Sequence, residues 1–154
     1  MRLANYDHPD CEAIERRLPA LTDAMAMRLD VMGQNRLSNA ELLCIAEDGM
    51  HGRAPYEFWQ AGPCLVGLNV VQPWWSRDRV LAEEFIVRYK AGNFADTIAE
   101  LEAHAKAHGC KALVISSLAQ IRKESYGHYL QRKGFREVSR EYVKDIRDHC
   151  SEVA

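Results

Sequence analysis

No apolar run in this 154-residue chain approaches the length of a membrane span. Met1-Arg2-Leu3 opens no signal peptide, so a cytoplasmic protein is expected. Excess charge is also missing. Twenty Lys and Arg face 22 Asp and Glu, a net of −2, and this gives no electrostatic case for nucleic acid or an anionic membrane. The five cysteines (Cys11, Cys44, Cys64, Cys110 and Cys150) are odd in number, widely spaced and without a CxxC pair. Reduced thiols, mostly buried as small hydrophobes, are expected. There is no P-loop, no GxGxxG after a strand, no HExxH phrase, no repeat and no low-complexity tract. What remains is an ordinary globular composition, 47% hydrophobic and 27% charged. It predicts one domain over residues 1–150, with 151–154 as a frayed tail.

Local signals outline the elements. Met1 to Tyr6 alternates as a short strand. Pro9 beside Asp10 starts a helix that Pro19 should interrupt, and Ala20 to Leu29 continues helically. Ser38 and Glu41 have capping-box spacing ahead of another helix. Tyr56–Gln60 and Cys64–Gln72 read as strands joined by a turn at Ala61-Gly62-Pro63. The stretch from Val80 to Ile146 then carries a strand, a short loop and the amphipathic helix Ala95–His108, whose stripe is Ile98, Leu101 and Ala105. Ala112–Ser116 has the composition of a strand buried on both faces. A helix over Leu118–Lys133, ended by Gly134, and a strand over Phe135–Ile146 close the chain. The order predicts a mixed α/β (α+β) domain, its sheet largely antiparallel with a parallel or splayed pair inside it.

The phrases AELEAHAKAHGCKALVIS, Tyr129-Leu-Gln-Arg-Lys-Gly-Phe135 and EYVKDI, in this order, resemble the Gcn5-related N-acetyltransferase superfamily. The Gln72-Pro73-Trp74-Trp75 segment ahead of an acidic strand is similar to small acetyltransferase-like proteins encoded by bacteriophages. The resemblance implies a GNAT-like sheet flanked by helices, acetyl-CoA as co-substrate, no metal and an amine acceptor. Its pyrophosphate loop falls on Lys90, Ala91, Gly92, Asn93 and Phe94, with Val87 on the strand that polarises the thioester. Gly92 keeps the family's central glycine. Tyr89 stands for its Arg or Gln, and Phe94 for a small residue, where a large ring would obstruct a pyrophosphate. Lys90 could supply compensating charge, and Asn93 could cap the following helix.

Glu83 and Glu84 are the candidate bases. As neighbours on a strand, one must face each side of the sheet, and burial in a cleft would raise a carboxyl toward the working range of a base. The bland alternative is an ion pair for one and solvent for the other. Leu130 stands where the resemblance wants a proton-donating Tyr. Tyr129 is the substitute, with Tyr126 or a water also available, unless Tyr129 simply packs in the core beside Phe135. His104 and His108, at i,i+4, offer half a metal site with no third ligand, so a solvated helix face is expected. Trp74 and Trp75 suit an acceptor pocket or a partner surface, with at least one of them packing in the core. Two functions stay open: an acyl-CoA-dependent N-acetyltransferase working by direct attack, and an inactive GNAT-fold structural or interaction protein in a phage virion or on a host factor. A homodimer through an exposed β edge is compatible with either.

Overall fold

The structure, a computed structural model, describes residues 1–5, 7–23, 37–53, 57–115 and 123–137. Its elements in chain order are β1 (Arg2–Leu3), α1 (Cys11–Glu15), α2 (Asn39–Met50), β2 (Glu57–Ala61), β3 (Cys64–Val71), β4 (Arg79–Arg88), α3 (Phe94–Ala107), β5 (Cys110–Val114) and α4 (Lys123–Arg132). The five strands lie in the order β1-β2-β3-β4-β5. The first three pairings are antiparallel, and β4 with β5 is parallel. This is the mixed α/β sheet that the element order predicts. Among the described residues, no helix is long and apolar enough to cross a membrane.

Alternation along the strands divides the core between two faces. Phe58, Leu65, Phe85 and Tyr89 pack with Ile14, Leu18, Leu21 and Met50 on one side. Val66, Leu68 and Leu81 pack with Leu101 and Ala105 of α3 on the other. The Phe85 ring stands edge-on to Phe58, with centroids 5.0 Å apart. It lies where a Cβ on Gly67 would come within 2.3 Å of it, so β3 needs glycine at that position. A register shift, a β-bulge, follows at Gly67/Leu68.

Several local expectations are met. Ser38 and Glu41 form a full capping box, and the two-residue turn Gly62-Pro63 joins β2 to β3 with Gly62 at φ 52°. Gly134, at φ 88°, ends α4 as the N–H of Phe135 reaches the carbonyl of Leu130. Others need correction. The first helix breaks at Arg16-Arg17, and Pro19 sits in the first turn of a helix over 18–23, where its missing N–H costs nothing. β5 is not buried on both faces. Ala112 and Val114 are exposed, because among the described residues α3 covers only one of its faces. Cys64 and Cys110 are buried, but Cys44 is exposed. The tail 151–154, Cys150 and residues 138–146 of the last expected strand lie outside the described residues, as do 24–29 and 118–122 of the expected helices.

Candidate active site at the open edge of the fourth strand

β5 pairs with β4 only from Arg79 to Ala82. From Glu83 to Arg88, β4 runs on with β3 on one side and, among the described residues, no strand on the other. The direction of its backbone groups follows from one bond. The N–H of Tyr89 donates to the carbonyl of Pro63 at 3.1 Å, toward β3. In an antiparallel ladder the direction alternates with each residue, so Val87 also turns its N–H to β3, while Ile86 and Arg88 turn theirs to the open edge. The thioester-polarising role expected of Val87 therefore meets a geometry that offers Ile86. The Val87 side chain packs on the core face opposite α3.

The bulge separates the two acids. Gly67 pairs with Phe85 and Leu68 with Glu83, which makes Glu84 the extra residue. Glu84 is exposed and accepts a hydrogen bond from Asn69 Nδ2 at 2.9 Å. Glu83 is half-buried and shares a face with Leu68, the face covered by α3. Its charge is felt by Tyr126 of α4. Burial first, then Glu83, Cys64 and Tyr129, push the Tyr126 hydroxyl well above the ordinary phenol range.

Tyr126 and Tyr129 lie three residues apart and so share one face of α4. Their rings tilt against Phe94 with centroids 5.9 and 5.7 Å away. Both hydroxyl oxygens are buried without a hydrogen-bond partner among the described residues. Leu130 is buried. Tyr129 thus packs on Phe94, and Tyr126 joins it as the phenol coupled to Glu83. The sequence signal for Tyr126 was its i,i+3 spacing from Tyr129.

The loop between β4 and α3 is built from three contacts. Asn93 caps α3, its Oδ1 accepting the N–H of Ala95 at 3.0 Å. Thr97 donates its hydroxyl to the carbonyl of Ala61 at 3.0 Å, which ties the first turn of α3 to the β2–β3 turn. A Cβ on Gly92 would fall 2.7 Å from Pro63 Cβ, so this glycine answers to the neighbouring turn. Ala91, Gly92, Asn93 and Phe94 are left with backbone N–H groups that bond to nothing among the described residues. They stand in sequence at the positive end of a 14-residue helix. The Phe94 ring lies against the α4 tyrosines. Lys90 does not offer a loose charge, since its ammonium sits 2.6 Å from Asp10 Oδ2.

His104 stacks between Trp59, at 4.8 Å, and His108, at 4.1 Å. No group of three metal-ligating side chains occurs among the described residues. Trp74 and Trp75 form an edge-to-face pair on the β3–β4 connection and are 92% and 72% exposed, so neither packs in the core.

No protein-family model matches the chain, and no curated protein matches it. Solved structures do. A Trypanosoma brucei acetyltransferase aligns at 22% identity with a TM-score of 0.49, covering 86% of this chain and 94% of its own. A protein described as a probable acetyltransferase aligns at 14% identity with a TM-score of 0.49 over the same shares of the two chains. At these levels of likeness, the functional reading has to rest on the site.

Proposed function

We propose that this protein is an acetyltransferase that uses acetyl-CoA to acetylate a primary amine by direct attack. One observation carries the reading. A half-buried carboxylate, Glu83, lies near the Tyr126 phenol, Tyr126 and Tyr129 have buried hydroxyls without a hydrogen-bond partner among the described residues, and the adjoining edge of β4 has no strand beside it among them. Leaving a buried hydroxyl unsatisfied costs about 1–3 kcal/mol. Two of them on one helix face make sense where a substrate supplies the acceptors. The N–H groups of Ala91 to Phe94, unbonded among the described residues, suit the pyrophosphate, in the way that helix N-termini generally receive phosphates. Pro63 then gives the loop its shape, and Phe94 backs the catalytic tyrosines.

In this reading Glu83 takes a proton from the attacking amine, directly or through water. The amine nitrogen bonds to the thioester carbon while the Ile86 N–H steadies the developing oxyanion. Collapse breaks the C–S bond, and the departing thiolate takes a proton from Tyr126 or Tyr129. Burial and Glu83 raise the Tyr126 phenol, which therefore stays protonated at neutral pH and remains a donor. The proton held by Glu83 then restores the tyrosine, and the cycle balances.

Calorimetric titration with acetyl-CoA tests the reading. Saturable binding in the micromolar range is expected. Absence of binding at millimolar concentration would remove it.

A further inference from the structure

Asp10 occupies the N-cap of α1, where a carboxylate ordinarily accepts an N–H from the first helical turn. Its side chain makes no such bond. Oδ2 instead accepts the Tyr89 hydroxyl at 2.8 Å and the Lys90 ammonium at 2.6 Å, from residues 79 and 80 positions further on. Those two donors hold the Asp10 carboxyl below the usual range, so it stays ionised throughout the neutral region. A side chain of capping type that leaves its own helix for a distant loop is a local rule broken, and such places tend to serve a site.

Tyr89 and Lys90 are the two residues directly ahead of Ala91–Phe94. Their backbone N–H groups both reach the carbonyl of Pro63, at 3.1 and 3.4 Å. The start of the loop is thus held twice, by the β2–β3 turn through its backbone and by Asp10 through its side chains. Beyond it, the N–H groups of Ala91 to Phe94 have no hydrogen bonds of their own among the described residues. We infer that Asp10 is a positioning residue for this loop: by gripping Tyr89 and Lys90 it sets where the N–H groups of Ala91 to Phe94 point, and it couples α1 to ligand binding. The ligand's identity rests on the acyl-CoA reading above, whereas the tether itself does not.

Amide exchange across residues 89–107 and calorimetric titration with CoA, on wild type, Asp10→Ala, Asp10→Asn and Tyr89→Phe, test this. In Asp10→Ala, the Tyr89 and Lys90 amides, whose bonds to the Pro63 carbonyl hold the start of the loop, should exchange about tenfold faster while those in the interior of α3 keep their rates. CoA should bind it about five- to twentyfold more weakly. Asp10→Asn can still accept the Tyr89 hydroxyl but loses the ion pair with Lys90, so it should recover only part of both effects, whereas a residue needed only to cap α1 would be replaced fully by Asn. Tyr89→Phe should fall between wild type and Asp10→Ala, and it carries the test should Asp10→Ala not fold. Unchanged loop exchange and affinity in Asp10→Ala would overturn the inference. So would tighter CoA binding by Asp10→Asn, since Asp10 would then be masking Lys90. A loosened loop in Asp10→Ala with no CoA binding by any variant, wild type included, would uphold the tether and sink the acyl-CoA reading.

Discussion

Glu83 lies opposite Leu68, and Glu84 is the residue that the bulge adds to β4. Of the two acids, it is Glu83 whose charge helps to raise the Tyr126 phenol, whereas Asn69 reaches Glu84 at an exposed position. Release of free thiol from acetyl-CoA in the presence of small primary amines should therefore fall about 100-fold or more in Glu83→Gln. Glu84→Gln should stay within a few-fold of wild type, and equal losses in the two would contradict the assignment. Tyr126→Phe removes a buried hydroxyl that has no hydrogen-bond partner among the described residues. Denaturant unfolding should show it as stable as wild type or up to about 1 kcal/mol more stable. Its turnover should drop, and a stable variant with full activity would remove Tyr126 from the chemistry. The sequence made the paired acids and the tyrosine spacing visible. The bulge was not visible, because nothing in residues 83–85 marks which of them the ladder with β3 leaves unpaired.

Among the elements, the β2–β3 turn and the β4–α3 loop hold each other in place. Gly92 and Pro63 touch so closely that Gly92→Ala should cost about 1–3 kcal/mol through overpacking. Pro63→Ala would open space, so the double variant should lose less than the sum of the two single losses in equilibrium unfolding. Strict additivity would mean that the contact does not govern the loop. Gly92 was marked by the family resemblance, and the Asn93 cap by its residue type. Pro63 was not, because nothing in the chain announces that a turn completed at residue 64 will pack beneath a loop beginning at 89. Nor did the chain announce that the Phe94 ring would meet Tyr126 and Tyr129 of α4.

At the scale of the whole molecule, pH should act through histidines that folding keeps neutral. His8 is 6% exposed, and its Nδ1 accepts the N–H of Asp10 at 3.0 Å, which only the uncharged ring can do. Burial lowers its pKa below the ordinary 6.5 despite Asp10, with Arg2 and Lys90 also lowering it. His104 is lowered in the same direction by burial and by His108. A folded-state pKa below the unfolded one means that the unfolded chain binds more protons as the solution acidifies. Stability from this source is complete above the unfolded value and is lost as pH falls through it toward the folded value. The melting temperature should thus decline from about pH 7 to pH 5. His8→Asn, which keeps an acceptor for Asp10, should flatten part of that decline. An unchanged slope would exclude His8 as its source.

Element order, the capping box at Ser38, the Asn93 cap, the glycine stop at Gly134 and the mixed sheet could all be read along the chain. Each depends on residues a few positions apart, or on a periodicity that marks one face of a helix or strand. The division between Glu83 and Glu84, the Ile86 N–H at the open edge, the inward turn of Phe94, the Asp10 grip on Tyr89 and Lys90, and the exposure of both tryptophans came from elsewhere. Each is settled by a contact or a gap between segments distant in sequence, where packing and backbone direction, not residue type, choose among chemically equal candidates.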